Sequence, residues 1–167
     1  MKNMNNLFFL YLIVTLISVP CIGHADNYEV NVTRKESNFY KVTGSDIYIQ
    51  TRHCYEYEYY TDAILIMSGY TGEIIFVDDD DERSCDVMAV YGSADIEPGT
   101  YKVTISHESD DWYEVMGADL FIQTSLCLRL DLGTEVILRV YEGGFGRVYF
   151  PDDEDYMVEG IYSRMKL

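Results

Sequence analysis

GSDIYIQTRHC, residues Gly44 to Cys54, returns as GADLFIQTSLC, residues Gly117 to Cys127. Working outward at the same offset, Tyr28 falls on Tyr101, Val30 on Val103, Tyr40 on Tyr113, Val42 on Val115, Thr61 on Thr134 and Leu65 on Leu138. Thirteen of the 38 ungapped positions from Tyr28 to Leu65 are identical, more than chance supplies. The register then slips by one residue to set Gly72 on Gly146 and Phe76 on Phe150, and it ends with Val87 on Val158 and Tyr91 on Tyr162. This pattern predicts one unit copied in tandem, so the architecture can be read from two versions of each element.

Each version reads as short strands separated by turn chemistry. Tyr28 to Val32 and Tyr101 to Ile105 alternate apolar with polar, the signature of a half-buried strand. Phe39 to Val42 and Trp112 to Val115 follow, stopped by Gly44 and Gly117, where glycine can take the positive φ of a tight turn. In the central stretch of the second copy, Leu120, Ile122, Thr124, Leu126, Leu128, Leu130 and Leu132 share one parity, which predicts that this face is the core face. The matching positions of the first copy are Ile47, Ile49, Thr51, His53, Tyr55, Tyr57 and Tyr59, with a bend expected near Thr51 and Thr124. Hairpins through Ser68 to Gly72 and Glu142 to Gly146 lead to an acidic loop and a closing strand in each copy. No sustained helical period occurs. The expected fold is all-β: a tandem duplication of two small antiparallel β units, barrels of SH3-like size or curled sheets, packed side by side. The units span residues 26–91 and 100–167, joined by a linker at residues 92–99. Units this small have little core of their own, so a shared apolar interface is expected.

The start of the chain reads differently. Lys2, the apolar run Leu7 to Val19 and the Gly23-His24-Ala25 end have the form of a signal peptide over residues 1–25, which predicts export to a bacterial periplasm or exterior. The formal net charge is −17, and loss of Lys2 with the leader leaves the mature chain one unit more negative. Such a field repels nucleic acid and anionic lipid and favours a basic protein partner. Neither nucleic-acid binding nor membrane insertion of the mature chain is expected. Aromatic residues nevertheless reach 14% of the chain, well above what a disordered acidic polymer carries.

Three cysteines follow the leader. Cys54 and Cys85 are read as a disulfide within the first unit, because Cys85 falls opposite Tyr156 and leaves Cys127 without a partner. Cys127 is then a buried thiol or a cross-link to a second chain. The run Tyr48 to Tyr57, continued by Asp62-Ala63-Ile64-Leu65 and closed by Cys85-Asp86-Val87, resembles a motif of small exported bacterial proteins. The resemblance agrees with this pairing and implies no activity.

Two clusters are candidate functional elements. Asp78, Asp79, Asp80, Asp81 and Glu82 in the first unit, and Asp152, Asp153, Glu154 and Asp155 in the second, offer oxygen ligands for a weak Ca²⁺ site, although neither has the spacing of an EF-hand loop. The plainer reading is a solvated turn that protects sheet edges. Tyr55, Tyr57 and Tyr59, interleaved with Glu56 and Glu58, point inward on the parity above, and together with Tyr60 they are read as core with hydroxyls reaching the rim. Should they face outward, they form an aromatic platform for a partner, with the first unit the binding half and the second its scaffold. His53, opposite Leu126, is expected to be packed, and Trp112, opposite Phe39, to be a core aromatic. Arg52, Arg129, Arg139 and Arg147 are expected to offset acidic charge.

No nucleophile triad or phosphate loop is legible. The expected function is therefore a non-enzymatic exported module that recognises a basic protein, such as an inhibitor or immunity protein against a secreted toxin or wall hydrolase. A carboxylate-dependent secreted hydrolase and a calcium-stabilised structural module are the alternatives.

Overall fold

The computed structural model describes residues 25–77, 83–127 and 129–167. The leader up to His24, the acidic loop Asp78 to Glu82, and Leu128 lie outside the described residues. Among the described residues the chain is all-β, with strands β1 (Asp26–Glu36), β2 (Phe39–Val42), β3 (Tyr48–Arg52), β4 (Thr61–Ser68), β5 (Thr71–Phe76), β6 (Arg83–Ser93), β7 (Gly99–Ser109), β8 (Trp112–Val115), β9 (Leu120–Thr124), β10 (Leu132–Val140), β11 (Gly146–Tyr149) and β12 (Asp155–Arg164).

Six strands close on themselves in each half. The first ring runs β6-β3-β2-β1-β4-β5 and returns through β5–β6 pairing. The second runs β12-β9-β8-β7-β10-β11 and returns through β11–β12. The strand order is the same in both. Closing the sheet leaves few free edges, which small antiparallel units need in water. Each barrel is filled by the inward side of its alternating strands. Val32, Tyr40, Ile49, Leu65, Phe76, Val87 and Val90 are buried in the first, and Ile105, Tyr113, Ile122, Leu138, Phe150, Val158 and Ile161 occupy the matching positions in the second.

Gly44 and Gly117 have φ of 75° and 81°, as the turn reading requires. Gly72 and Gly146 serve another purpose. Gly72 pairs with both Met67 of β4 and Val87 of β6, and Gly146 with both Val140 of β10 and Val158 of β12. Here the backbone crosses so closely that a Cβ on either glycine would stand 2.0 Å from a carbonyl oxygen, that of Ile66 or Arg139.

The barrels meet along β6 and β12, whose last residues pair as Tyr91 with Arg164, Gly92 with Ser163 and Ser93 with Tyr162. Under the alignment that sets Tyr91 on Tyr162, Gly92 falls on Ser163, so the pairing is symmetric about its own centre. Trp112, Phe39, Tyr48, Phe121, Tyr91, Tyr162 and Ala89 fill the seam beside it. Phe39 stacks on Trp112 with ring centroids 4.8 Å apart and planes at 12°. Trp112 and Phe39 are thus seam residues rather than residues of one barrel's core. Sequence marks them as apolar without saying which core they complete.

Past the seam, each closing strand enters the other barrel. Ala94 and Ile96 pack against the second core, and Met165 and Leu167 against the first. Ala94 donates its N–H to Ile161 O at 2.8 Å, and Met165 donates to Val90 O at 2.7 Å, matching bonds on either side of the centre. The stretch expected to be a plain linker therefore begins as strand at Gly92 and Ser93 and continues into a packing arm.

Candidate functional site

The central stretch does not run on as one strand. β3 stops at Arg52 and β9 at Thr124, and shortly beyond them His53 and Leu126 take positive φ of 52° and 58°. A left-handed residue reverses the alternation that follows it, so the side expected to face the core turns to solvent. Cys54, Glu58 and Cys127 become buried, while Tyr55, Tyr57, Tyr59 and Tyr60 are between 58% and 89% exposed. The inward reading of the tyrosines is thereby corrected, and so is the packed reading of His53, which is exposed. Leu126 and Leu130 on the equivalent loop and Leu132 at the start of β10, read as core, are 78–83% exposed.

The exposed tyrosine loop is pinned rather than loose. Cys54 is disulfide-bonded to Cys85, with Cα atoms 5.6 Å apart. Tyr40 donates its hydroxyl to Glu56 O at 2.7 Å, and Arg34 donates its backbone N–H to Glu58 O at 2.8 Å. Burial pushes the Tyr40 hydroxyl up to about 12, so it stays a donor well into alkaline pH. Arg83 bridges Glu56 at 2.5 Å and Glu58 at 3.1 Å. The Arg34 guanidinium lies 4.4 Å over the Tyr57 ring while donating to the carbonyls of Glu36, Ser37 and Glu56. Tyr59 and Tyr60 meet edge to face at 4.6 Å.

These contacts leave an aromatic ridge between two open grooves. One, of about 280 Å³, lies between the end of β1 and the loop and is lined by Arg34, Lys35, Glu36, Tyr57 and Tyr59. The other, of about 180 Å³, is lined by Thr33, Lys35, Lys41, Tyr59 and Tyr60. Lys35 borders both, which places one exposed cation beside the ridge on an acidic protein. Reducing Cys54–Cys85 should lower the unfolding free energy by ~2–4 kcal/mol, measured by urea titration with and without reductant. A loss below the resolution of the titration would mean that the hydrogen bonds of Tyr40 and Arg34 pin the loop unaided.

The second unit holds its loop by other chemistry. Cys127 is a free buried thiol beside the Tyr113 hydroxyl at 3.1 Å, and Tyr113 donates to Arg129 O at 2.7 Å. Burial raises the Tyr113 hydroxyl pKa, followed by its contact with Cys127. In place of a disulfide, the Arg129 side chain reaches Asp131, Asp152 and Glu154, each at 2.7 Å, and lies 4.3 Å over the Phe150 ring. The hydrogen bonds that Arg129 donates to Asp131 and Asp152 lead in raising its pKa, and Arg129 in turn lowers the Asp131 and Asp152 carboxyls. Arg147 pairs with Asp155. Glu56–Arg83 of the first unit thus becomes Arg129–Glu154 in the second, an ion pair with its signs exchanged.

Of the acidic residues read as calcium ligands, Asp152 and Glu154 are therefore engaged by a guanidinium, Asp155 by Arg147, and Asp153 sits in a turn with φ of 65°. Among the described residues no three His, Cys, Asp or Glu side chains converge in a way that could hold a metal ion. Sequence reasoning missed Arg34, Tyr40 and Arg83 as the groups that shape the ridge. The identity of Tyr40 with Tyr113 was the available signal, since a tyrosine kept at one register suggests a hydroxyl with a fixed partner. No family model, curated protein or solved structure matches the chain.

Proposed function

We propose that this chain is a non-enzymatic binding module that recognises a protein through the ridge Tyr55 to Tyr60. The observation that carries the reading is four tyrosines held outward on a loop fixed at both ends. Tyrosine supplies large amphipathic contact area at little entropic cost, and a loop already ordered loses little more on binding. Glu56 and Glu58, paired to Arg83, are positioning residues that support the ridge from behind. The second barrel is its scaffold.

The partner class follows from charge. A net −17 accelerates encounter with a basic protein, and Lys35 beside the ridge favours a partner whose contact patch carries some acidic rim, Lys41 being paired with Asp46. An inhibitor or immunity protein acting on a basic secreted toxin or wall hydrolase fits this description. The disulfide agrees with an oxidising, exported setting.

The test is a binding panel of basic cell-wall hydrolases and basic secreted toxins, run at low and high salt with wild-type protein and with Tyr57→Ala and Tyr59→Ala. The expected result is one or more binders, weakened at least ~30-fold by either substitution, the loss typical of an interface hot spot. Association should slow as salt is raised. A panel without binders, or binders that both variants retain at full affinity, would sink the reading.

A further inference from the structure

The seam carries charge as well as rings. Glu36 lies opposite Phe39 in the β1–β2 register, and Asp111 immediately precedes Trp112, so the two carboxylates flank the Phe39–Trp112 stack from the two barrels. The second unit has Ser109 where the first has Glu36, since Ser109 is the residue opposite Trp112. Glu36 Oε2 and Asp111 Oδ1 are both buried without a hydrogen-bond partner. Asp110 and Asp111 of the β7–β8 turn and Glu159 of β12 all bear on Glu36.

The surrounding bases do not neutralise this group of acids. Arg34 directs its guanidinium to the carbonyls of Glu36, Ser37 and Glu56 and to the Tyr57 ring. Lys35 is the exposed neighbour on β1, and Glu58, across the groove, is held by Arg83. The Asp111 backbone N–H favours ionised Glu36, but burial and the fields of Asp110 and Asp111 outweigh it.

We propose that Glu36 makes the seam between the barrels a proton-responsive joint. Protonated, it lets the Phe39–Trp112 stack close. Ionised, it sets a further negative charge against Asp110, Asp111 and Glu159 and loosens the contact. Burial first, and then the fields of Asp110 and Asp111, push the Glu36 carboxyl up to about 7. The folded state therefore keeps a proton that the unfolded chain has released at its ordinary 4.5. Stability is full below that value, declines as pH rises toward 7, and stays reduced above it.

Trp112 is the only tryptophan in the protein and lies in this seam, so its emission reports the joint with no partner present. Emission and acrylamide quenching are followed from about pH 5 to about pH 8.5 in the intact protein. Wild-type Trp112 should shift to the red and become more accessible with a midpoint near 7. Glu36→Gln, and Glu36→Ser, which copies Ser109, should hold the acid-form spectrum throughout and melt higher than wild type at alkaline pH. Asp110→Asn and Glu159→Gln should each move the wild-type midpoint downward. A flat wild-type response, or a response that survives unchanged in Glu36→Gln, would overturn the proposal.

Discussion

Alanine at Gly146 should lower the unfolding free energy by about 3 kcal/mol, the upper end of what overpacking costs, and alanine at Gly72 should cost about as much. The added methyl would stand 2.0 Å from the Arg139 carbonyl oxygen and 3.1 Å from its carbon, both backbone atoms that cannot swing aside. At Gly72 the Ile66 oxygen lies at 2.0 Å and the Met67 sulfur at 2.7 Å. Gly117→Ala is the control. Its Cβ would meet nothing within 4 Å, so only the strain of φ 81° remains, about 1–2 kcal/mol. Urea unfolding of the three variants separates the two causes. Equal losses at Gly146 and Gly117 would show that backbone crossing is not what demands glycine where the barrel closes.

Trp112→Ala should cost about 3–5 kcal/mol, as loss of a fully buried large aromatic does. It should also separate the melting of the two halves. Trp112 meets Phe39 at 4.8 Å, Tyr162 at 4.9 Å, Tyr48 at 5.1 Å and Tyr91 at 5.4 Å, so its removal empties the middle of the seam. Wild-type protein should show one calorimetric transition and the variant a broadened or double one. Trp112→Phe, which copies Phe39, should cost far less, because the Trp112 indole N–H is buried with no partner to lose. A Trp112→Ala variant that still melts in one sharp step would mean that strand pairing through Gly92 and Ser163 couples the barrels without the rings.

Much of the architecture was legible because antiparallel strands write their burial at a period of two. Val32 and Ile105, Leu65 and Leu138, and the glycines at 44 and 117 could each be assigned from two independent copies of the pattern. The pairing of Cys54 with Cys85 followed from Tyr156 standing where Cys85 should recur. The tyrosine loop was misread for a local reason. Histidine enters the left-handed region more readily than most residues, but leucine does not, so His53 and Leu126 together carry no shared signal of a left-handed backbone. Tertiary anchors impose it: the buried sulfurs of Cys54 and Cys127 beneath the hydroxyls of Tyr40 and Tyr113. Because the leucines beyond Leu126 keep the same parity by coincidence, the alternation seemed continuous where the strand had ended. The seam was foreseen as a need for shared apolar surface, but not as the work of Phe39 and Trp112. Residue type gives hydrophobicity, whereas partner identity depends on how β6 and β12 cross.

That crossing sets an order of events during synthesis. Met165 and Leu167 complete the first barrel's packing, and Leu167 exchanges both backbone hydrogen bonds with Gly69, at 2.9 and 3.0 Å. Strands β1 to β6 leave the ribosome long before these residues do. An N-terminal half that has fully emerged therefore lacks part of its own interior, and it waits for Met165 to Leu167 before it can finish. Nascent chains halted anywhere before Met165 should remain more sensitive to protease across residues 26–93 than chains in which an appended linker carries Leu167 clear of the ribosome.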